Sequence, residues 1–206
     1  MLTGSAVKEK RIALFDFDGT LTRKDTFLDF HVKRFGAVSL VAAMFKAALA
    51  CPLSKLTDRS EVKERFVSRM WKGTLFESYL SCAEDYAERE IDGITMPTAM
   101  EVFRKHLELG DTVCIVTASM KDWVEPWASR YGVPVVGTEL EVEDGRITGR
   151  LKTPNCRGAE KVSRVKAKFD LNGFSKIFAY GNSGGDREML ALADEAVYKW
   201  RRAPRL

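Results

Sequence analysis

Short apolar runs alternate with amphipathic stretches along most of this chain, and that alternation restricts the fold more than any other feature of the sequence. The runs are RIALF (11–15), TVCIV (112–116), VPVVG (133–137), KIFAY (176–180) and EAVYK (195–199). Each is bounded by turn signals and rich in Val, Ile or aromatic residues, as strands buried on both faces are. Helical patterns occupy 97–109, 121–131, 158–169 and 184–193. Strands alternating with helices predict a parallel sheet covered on both faces, an α/β core.

Two regions break the alternation. Residues 22–93 carry helical patterns without a convincing strand and read as a helical insertion after the first strand, leaving 1–21 and 94–206 as the core. Residues 138–151, TELEVEDGRITGRL, alternate apolar and polar positions around Asp144-Gly145, a strong signal for a hairpin. Inside the insertion, residues 36–53 (GAVSLVAAMFKAALACPL) are about as long as the shortest membrane span. Lys46 at the middle makes a spanning helix costly. The expectation is a helix buried in the protein, with a helix lying on a membrane surface as the alternative.

Composition narrows the class further. At 206 residues the chain holds one core domain with a smaller insertion rather than two equal domains. With 45% apolar and 30% charged residues it reads as globular rather than disordered. The net charge of +4 requires no polyanionic partner, and no nucleic-acid recognition motif accompanies it. The charge is uneven, since residues 23–72 hold eleven Lys or Arg against five Asp or Glu. Cys51, Cys82, Cys114 and Cys156 lie far apart with no CxxC spacing, so neither a zinc site nor a disulfide framework is suggested. The opening MLTGSAVKEK lacks the apolar stretch of a signal peptide, and a reducing cytoplasm is the expected compartment.

In an open parallel sheet, ligands bind beyond the carboxyl ends of the strands. The first run ends in LFDFDGTLT, bringing Asp16 and Asp18 there. An ordinary strand-to-turn junction also uses Asp and Gly, but other polar groups gather at the same edge. The second run delivers Thr117 and Ser119, the fourth delivers Asn182, Ser183 and Asp186 in YGNSGGD, and Lys161 opens a helix beside them. The set suits phosphoryl transfer. A carboxylate can attack phosphorus provided that a lysine and a cation offset the repulsion between two anions. Mg²⁺ prefers such oxygen ligands. Strand alternation places Asp16 and Asp18 on one face, so that Asp16 can attack while Asp18 gives a proton to the leaving oxygen and later activates water. Ser119 and Ser183 serve local backbone capping as readily as substrate, and Arg157 is a possible substrate contact, with a surface arginine the favoured reading.

These motifs, in this order, resemble those of the haloacid dehalogenase superfamily, in particular its phosphoserine-phosphatase-like branch with a small helical cap. DFDGT matches the first motif, the strand end at Thr117 the second, Lys161 the third and GNSGGD the fourth, and the resemblance covers nearly the whole chain. It implies a Rossmann-like core with a cap over 22–93 that selects a small phosphorylated substrate. It implies Asp16 as nucleophile, Asp18 as general acid and base, and Thr117 and Lys161 as phosphate ligands. Asp16, Asp18, Asn182 and Asp186 would hold Mg²⁺. The family usually has Asp where this chain has Asn182, which makes a charged metal ligand neutral. Two further functions stand beside a phosphomonoesterase, the first from the apolar 36–53 helix and the basic 23–72 region, the second from the neutral Asn182. One is a lipid-phosphate phosphatase at a membrane surface, since some relatives with similar caps act on phosphatidylglycerophosphate. The other is a module that binds a phosphorylated ligand without turnover.

Overall fold

The computed structural model describes residues 9–49 and 59–200. Five parallel strands form the central sheet in the order β3-β2-β1-β6-β7. They are β1 (Arg11–Phe15), β2 (Thr112–Met120), β3 (Val135–Thr138), β6 (Lys176–Gly181) and β7 (Glu195–Tyr198). The five expected runs are thus the five strands, although β2 extends four residues beyond its apolar run to Met120. β1 lies at the middle, paired in parallel with β2 on one side and β6 on the other. The chain leaves β1 in opposite directions along the sheet, so the crevice at its carboxyl end is the switch point where ligands bind.

Alternation along β1 divides the core. Ala13 and Phe15 pack with Val113, Ile115 and Phe178 against α5 (Pro97–Leu109) and α6 (Lys121–Ser129), through Phe103, Trp123 and Trp127. Ile12 and Leu14 pack with Cys114, Val116 and Ala179 against Val165 of α7 (Ala159–Lys168) and Met189 of α8 (Arg187–Ala191). α5 has signals at both ends: Pro97 in its first turn, where no amide partner is lost, and Gly110 in the left-handed conformation after its last.

Between β1 and α5 the described residues form α1 (Thr26–Phe35), α2 (Ala37–Leu49), α3 (Arg59–Trp71) and α4 (Phe76–Arg89), as the helical patterns predict. The two ends of this stretch run side by side, with the Arg23 amide donating to the Ile94 carbonyl and the Met96 amide to the Leu21 carbonyl. The hairpin is also present: β4 (Leu140–Glu143) pairs antiparallel with β5 (Arg146–Leu151), and both turn residues, Asp144 and Gly145, have positive φ. It is joined to the helical stretch by backbone. The amides of Gly73 and Phe76 donate to the carbonyls of Ile147 and Gly145, and the Ile147 amide donates to the Thr74 carbonyl.

The expectation of a buried helix over 36–53 is corrected, with residues 50–53 lying outside the described ones. α2 buries Leu40, Ala43 and Ala47, whereas Val38, Val41, Phe45 and Leu49 stand in water. Its small buried residues let it lie against α1 and α3 along one stripe, and nothing in the described residues covers the other side. No described helix is long and apolar enough to cross a membrane.

Candidate active site

Lys161 organises the crevice. Its ammonium group, 1% exposed, donates to Asp16 Oδ1 at 2.6 Å, to Asp186 Oδ1 at 2.7 Å and to the Val116 carbonyl at 2.6 Å. All three protons are used, and ionised groups at such distances make strong hydrogen bonds. Burial works against this cation, but the two carboxylates outweigh it and hold its pKa above the ordinary lysine value. Asp16 has the opposite balance. Burial pushes its carboxyl upward, Lys161 pulls it down, and the nearby Asp186 adds repulsion. Thr20 donates to its second oxygen at 2.9 Å.

Asp186 fastens the loop after β6. Its Oδ2 accepts from the amides of Asn182 and Ser183 and from the Ser183 hydroxyl, while Ser183 in turn accepts from the Gly185 amide. Burial pushes Asp186 up, but Lys161 and these donors prevail and hold it below the usual carboxylate range. Ser183 and the Gly184-Gly185 pair thus build a local cap. Both oxygens of Asp186 are engaged by protein. The side chain of Asn182, by contrast, makes no hydrogen bond with described residues and lies in the cavity wall, close against Gly19. At Gly19 φ is +73°, which favours glycine, and a Cβ there would come within 1.9 Å of Asn182 Nδ2 and displace that side chain.

Asp18 belongs to a separate group. It accepts from the Thr26 amide at 2.7 Å, the Thr26 hydroxyl at 2.6 Å and the Ser119 hydroxyl at 2.5 Å. Burial and the negative Asp25 push its pKa up to about 7 despite these three donors. A carboxyl poised there can give or take a proton near neutrality. Thr117 is fully buried, and its hydroxyl accepts from the Ser119 amide rather than facing the cavity. In this geometry Ser119 and Ser183 are the hydroxyl-bearing residues in the cavity wall.

The cavity measures about 530 Å³. Beneath it are Asp16, Asp18, Lys161, Asn182 and Asp186, so all but Thr117 of the six residues singled out from sequence line one space. Arg157, half-buried and close against Gly185, also lines it, in keeping with the less favoured of its two readings, a possible substrate contact. The opposite wall comes from the helical stretch: Asp25, Phe27 and Leu28 from around the start of α1, Met44 from α2, and Val62, Lys63 and Phe66 from α3. Asp25 is there because it caps α1, accepting from the Leu28 amide. Lys63 donates to the Ala118 carbonyl and lies 4.7 Å from the Phe27 ring centre, and burial lowers its pKa to about 8. Sequence reasoning did not single out Asp25 or Lys63. Asp25 had a signal as the N-cap of a helix only seven residues after Asp18; Lys63 had none.

A covered parallel sheet with a carboxylate pair at the end of its central strand, a buried lysine from the helix α7 and a capped acidic loop defines a class of hydrolase. Residues 13–191 match the haloacid dehalogenase-like hydrolase family, and the chain belongs to it. Over 206 residues the chain is 35% identical to protein CicA of Caulobacter vibrioides, covering 96% of this chain and 90% of that one. It is 27% identical over 190 residues to phosphoserine phosphatase of Archaeoglobus fulgidus, covering 90% of this chain but 51% of the phosphatase. The fold is similar to that of a phosphoserine phosphatase solved in its apo form, with a TM-score of 0.66 at 18% identity over 92% of this chain and 86% of that one.

Proposed function

We propose that the protein is a Mg²⁺-dependent phosphomonoesterase working through an aspartyl-phosphate on Asp16. The observation that carries this reading is the buried Lys161 shared between Asp16 and Asp186 beneath an open cavity. A carboxylate 2.6 Å from an ammonium that is itself fully engaged is held in one orientation, and the same positive charge offsets that of an incoming phosphate. In the first step an Asp16 oxygen forms a bond to phosphorus while the ester oxygen leaves with the proton of Asp18. In the second, Asp18 takes a proton from water, the water oxygen bonds to phosphorus, and the Asp16 carboxylate is released with inorganic phosphate. Ser119 and Thr26 hold Asp18 in place for both transfers.

The donor set fits Mg²⁺. It is made of oxygens, and one lysine between two carboxylates leaves negative charge over. The Asp16 carboxylate, the Asp18 main-chain carbonyl and the Asn182 side-chain oxygen would hold the ion, with Asp186 fixing the Asn182 loop and Lys161. When bound, Mg²⁺ supplies charge that offsets the phosphoryl oxygens.

Residues 22–93 act in this reading as a cap that selects substrate. Phe27, Leu28, Met44, Val62 and Phe66 make most of the wall facing the carboxylates apolar. That lining favours a phosphomonoester with an apolar group near the phosphate, including lipid phosphates, over a sugar phosphate. Phosphoserine, sugar phosphates and short-chain lipid phosphates assayed with Mg²⁺ test the substrate class. Acid quenching during turnover, followed by mass spectrometry, should find phosphate on the peptide carrying Asp16. Turnover without that adduct, retained in Asp16→Asn, would rule out the covalent route.

A further inference from the structure

We propose that the exposed face of α2 is a docking surface for an anionic phospholipid bilayer. The proposal stands on the surface of the molecule and does not depend on the phosphatase reading. The sequence of α2, AVSLVAAMFKAAL, has one cation and no acid. Leu40, Ala43 and Ala47 are buried at helical spacing. On the other side of the helix, Val38, Val41, Phe45 and Leu49 form a second stripe, 85, 66, 64 and 70% exposed. A helix apolar on all sides is ordinarily enclosed. Contiguous apolar surface left in water marks a place where something else binds.

Charge and position identify the occupant. Lys46, the one cation of α2, is exposed on the flank of the stripe, where a lysine can reach headgroups from an interfacial helix. The surrounding sequence, residues 23–72, is net cationic, with eleven Lys or Arg against five Asp or Glu, the sign that an anionic surface attracts, although Lys24, Lys33 and Arg65 pair with acids and Lys63 lies in the cavity wall. A second copy packing α2 on α2 would offer Lys46 no acid on the facing helix. With 13 residues, α2 is too short to span a bilayer and long enough to lie on one. Met44 links this face to the active-site cavity, being 41% exposed while also lining the cavity wall. A bilayer under α2 would therefore lie beside the cavity.

Sedimentation of the full chain with phosphatidylcholine vesicles, with and without phosphatidylglycerol, tests the proposal. Binding is expected to the anionic vesicles, weakening as salt rises because the charge attraction is screened. Val41→Ser with Phe45→Ser should lower the bound partition about tenfold or more, with the far-UV circular dichroism and melting unchanged because both side chains stand in water. Lys46→Gln should lower it about fivefold on anionic vesicles only. No sedimentation of the wild type at low salt would overturn the proposal, as would undiminished binding by the double serine variant. A dimer in analytical ultracentrifugation that the serine substitutions dissociate, without vesicle binding, would assign the face to a second copy instead.

Discussion

Asp16 and Asp18 stand two residues apart, yet their surroundings differ. The first faces a lysine, and the second is held by neutral donors beside another acid, Asp25. Such separation of environments gives two like groups different tasks. Asp16→Asn should abolish phosphatase turnover with the fold intact. Asp18→Asn should reduce kcat by at least about a hundredfold, the usual contribution of positioned proton transfer. Steady-state rates, with deamidation checked by mass spectrometry, measure both, and near wild-type activity in either would exclude the assigned role. Asn182 offers a sharper test. Its replacement by Asp should lower the half-saturating Mg²⁺ concentration about tenfold, a gain of about 1.4 kcal/mol, because a full charge replaces a dipole. An unchanged Mg²⁺ requirement would remove Asn182 from the metal's ligands. At this scale much was legible in the sequence, because Asp16, Asp18, Lys161, Asn182 and Asp186 sit at strand ends and a helix start that their neighbours announce. Lys63 was not, since its place depends on how α3 packs over the cavity rather than on anything local.

Among the elements, the strands and the hairpin followed from period and turn chemistry, because a doubly buried strand and an Asp-Gly turn are local solutions to burial and backbone geometry. The course of α2 did not follow. An apolar helix predicts burial, but whether a partner element covers each of its sides is decided by tertiary packing, and here Val38 and Phe45 have none among the described residues. The contact of α3 with β5 was equally hidden. It depends on Gly149, whose φ is +89° and where a Cβ would come within 2.8 Å of the Ser68 Cα. Backbone cannot retreat as a flexible side chain can. Gly149→Ala should therefore destabilise the protein by about 2 kcal/mol or more, measured by urea denaturation. A change below about 0.5 kcal/mol would mean that α3 and the hairpin separate freely at that point.

For the whole molecule, acid stability depends in part on His31. Its ring is 1% exposed, accepts from Trp71 Nε1 at 2.9 Å and lies 2.6 Å from the Phe27 carbonyl through its other nitrogen. Burial holds its pKa near 4, below the ordinary 6.5, so the imidazole is neutral in the fold. A depressed pKa of this kind contributes stability that is present above pH 6.5 and is lost as pH falls toward about 4. Between pH 6.5 and pH 5 the loss should be about 1.6 kcal/mol. His31→Phe should flatten that dependence in urea denaturation, even though the unpaired Trp71 amine lowers stability at neutral pH. An equally steep loss in the variant would place the acid sensitivity elsewhere. The hydrogen bonds joining residues 73–76 to the hairpin have a mechanical consequence. Two of the helical stretch's anchors are the paired segments at its ends and the hairpin beyond β3. A lid hinged at one edge can swing; a roof fastened at two points must flex between them or carry its far support along. In the proposed cap role, substrate entry depends on the give in the span holding α1 and α2, and the amides at 73, 76 and 147 should exchange with solvent slowly and in step.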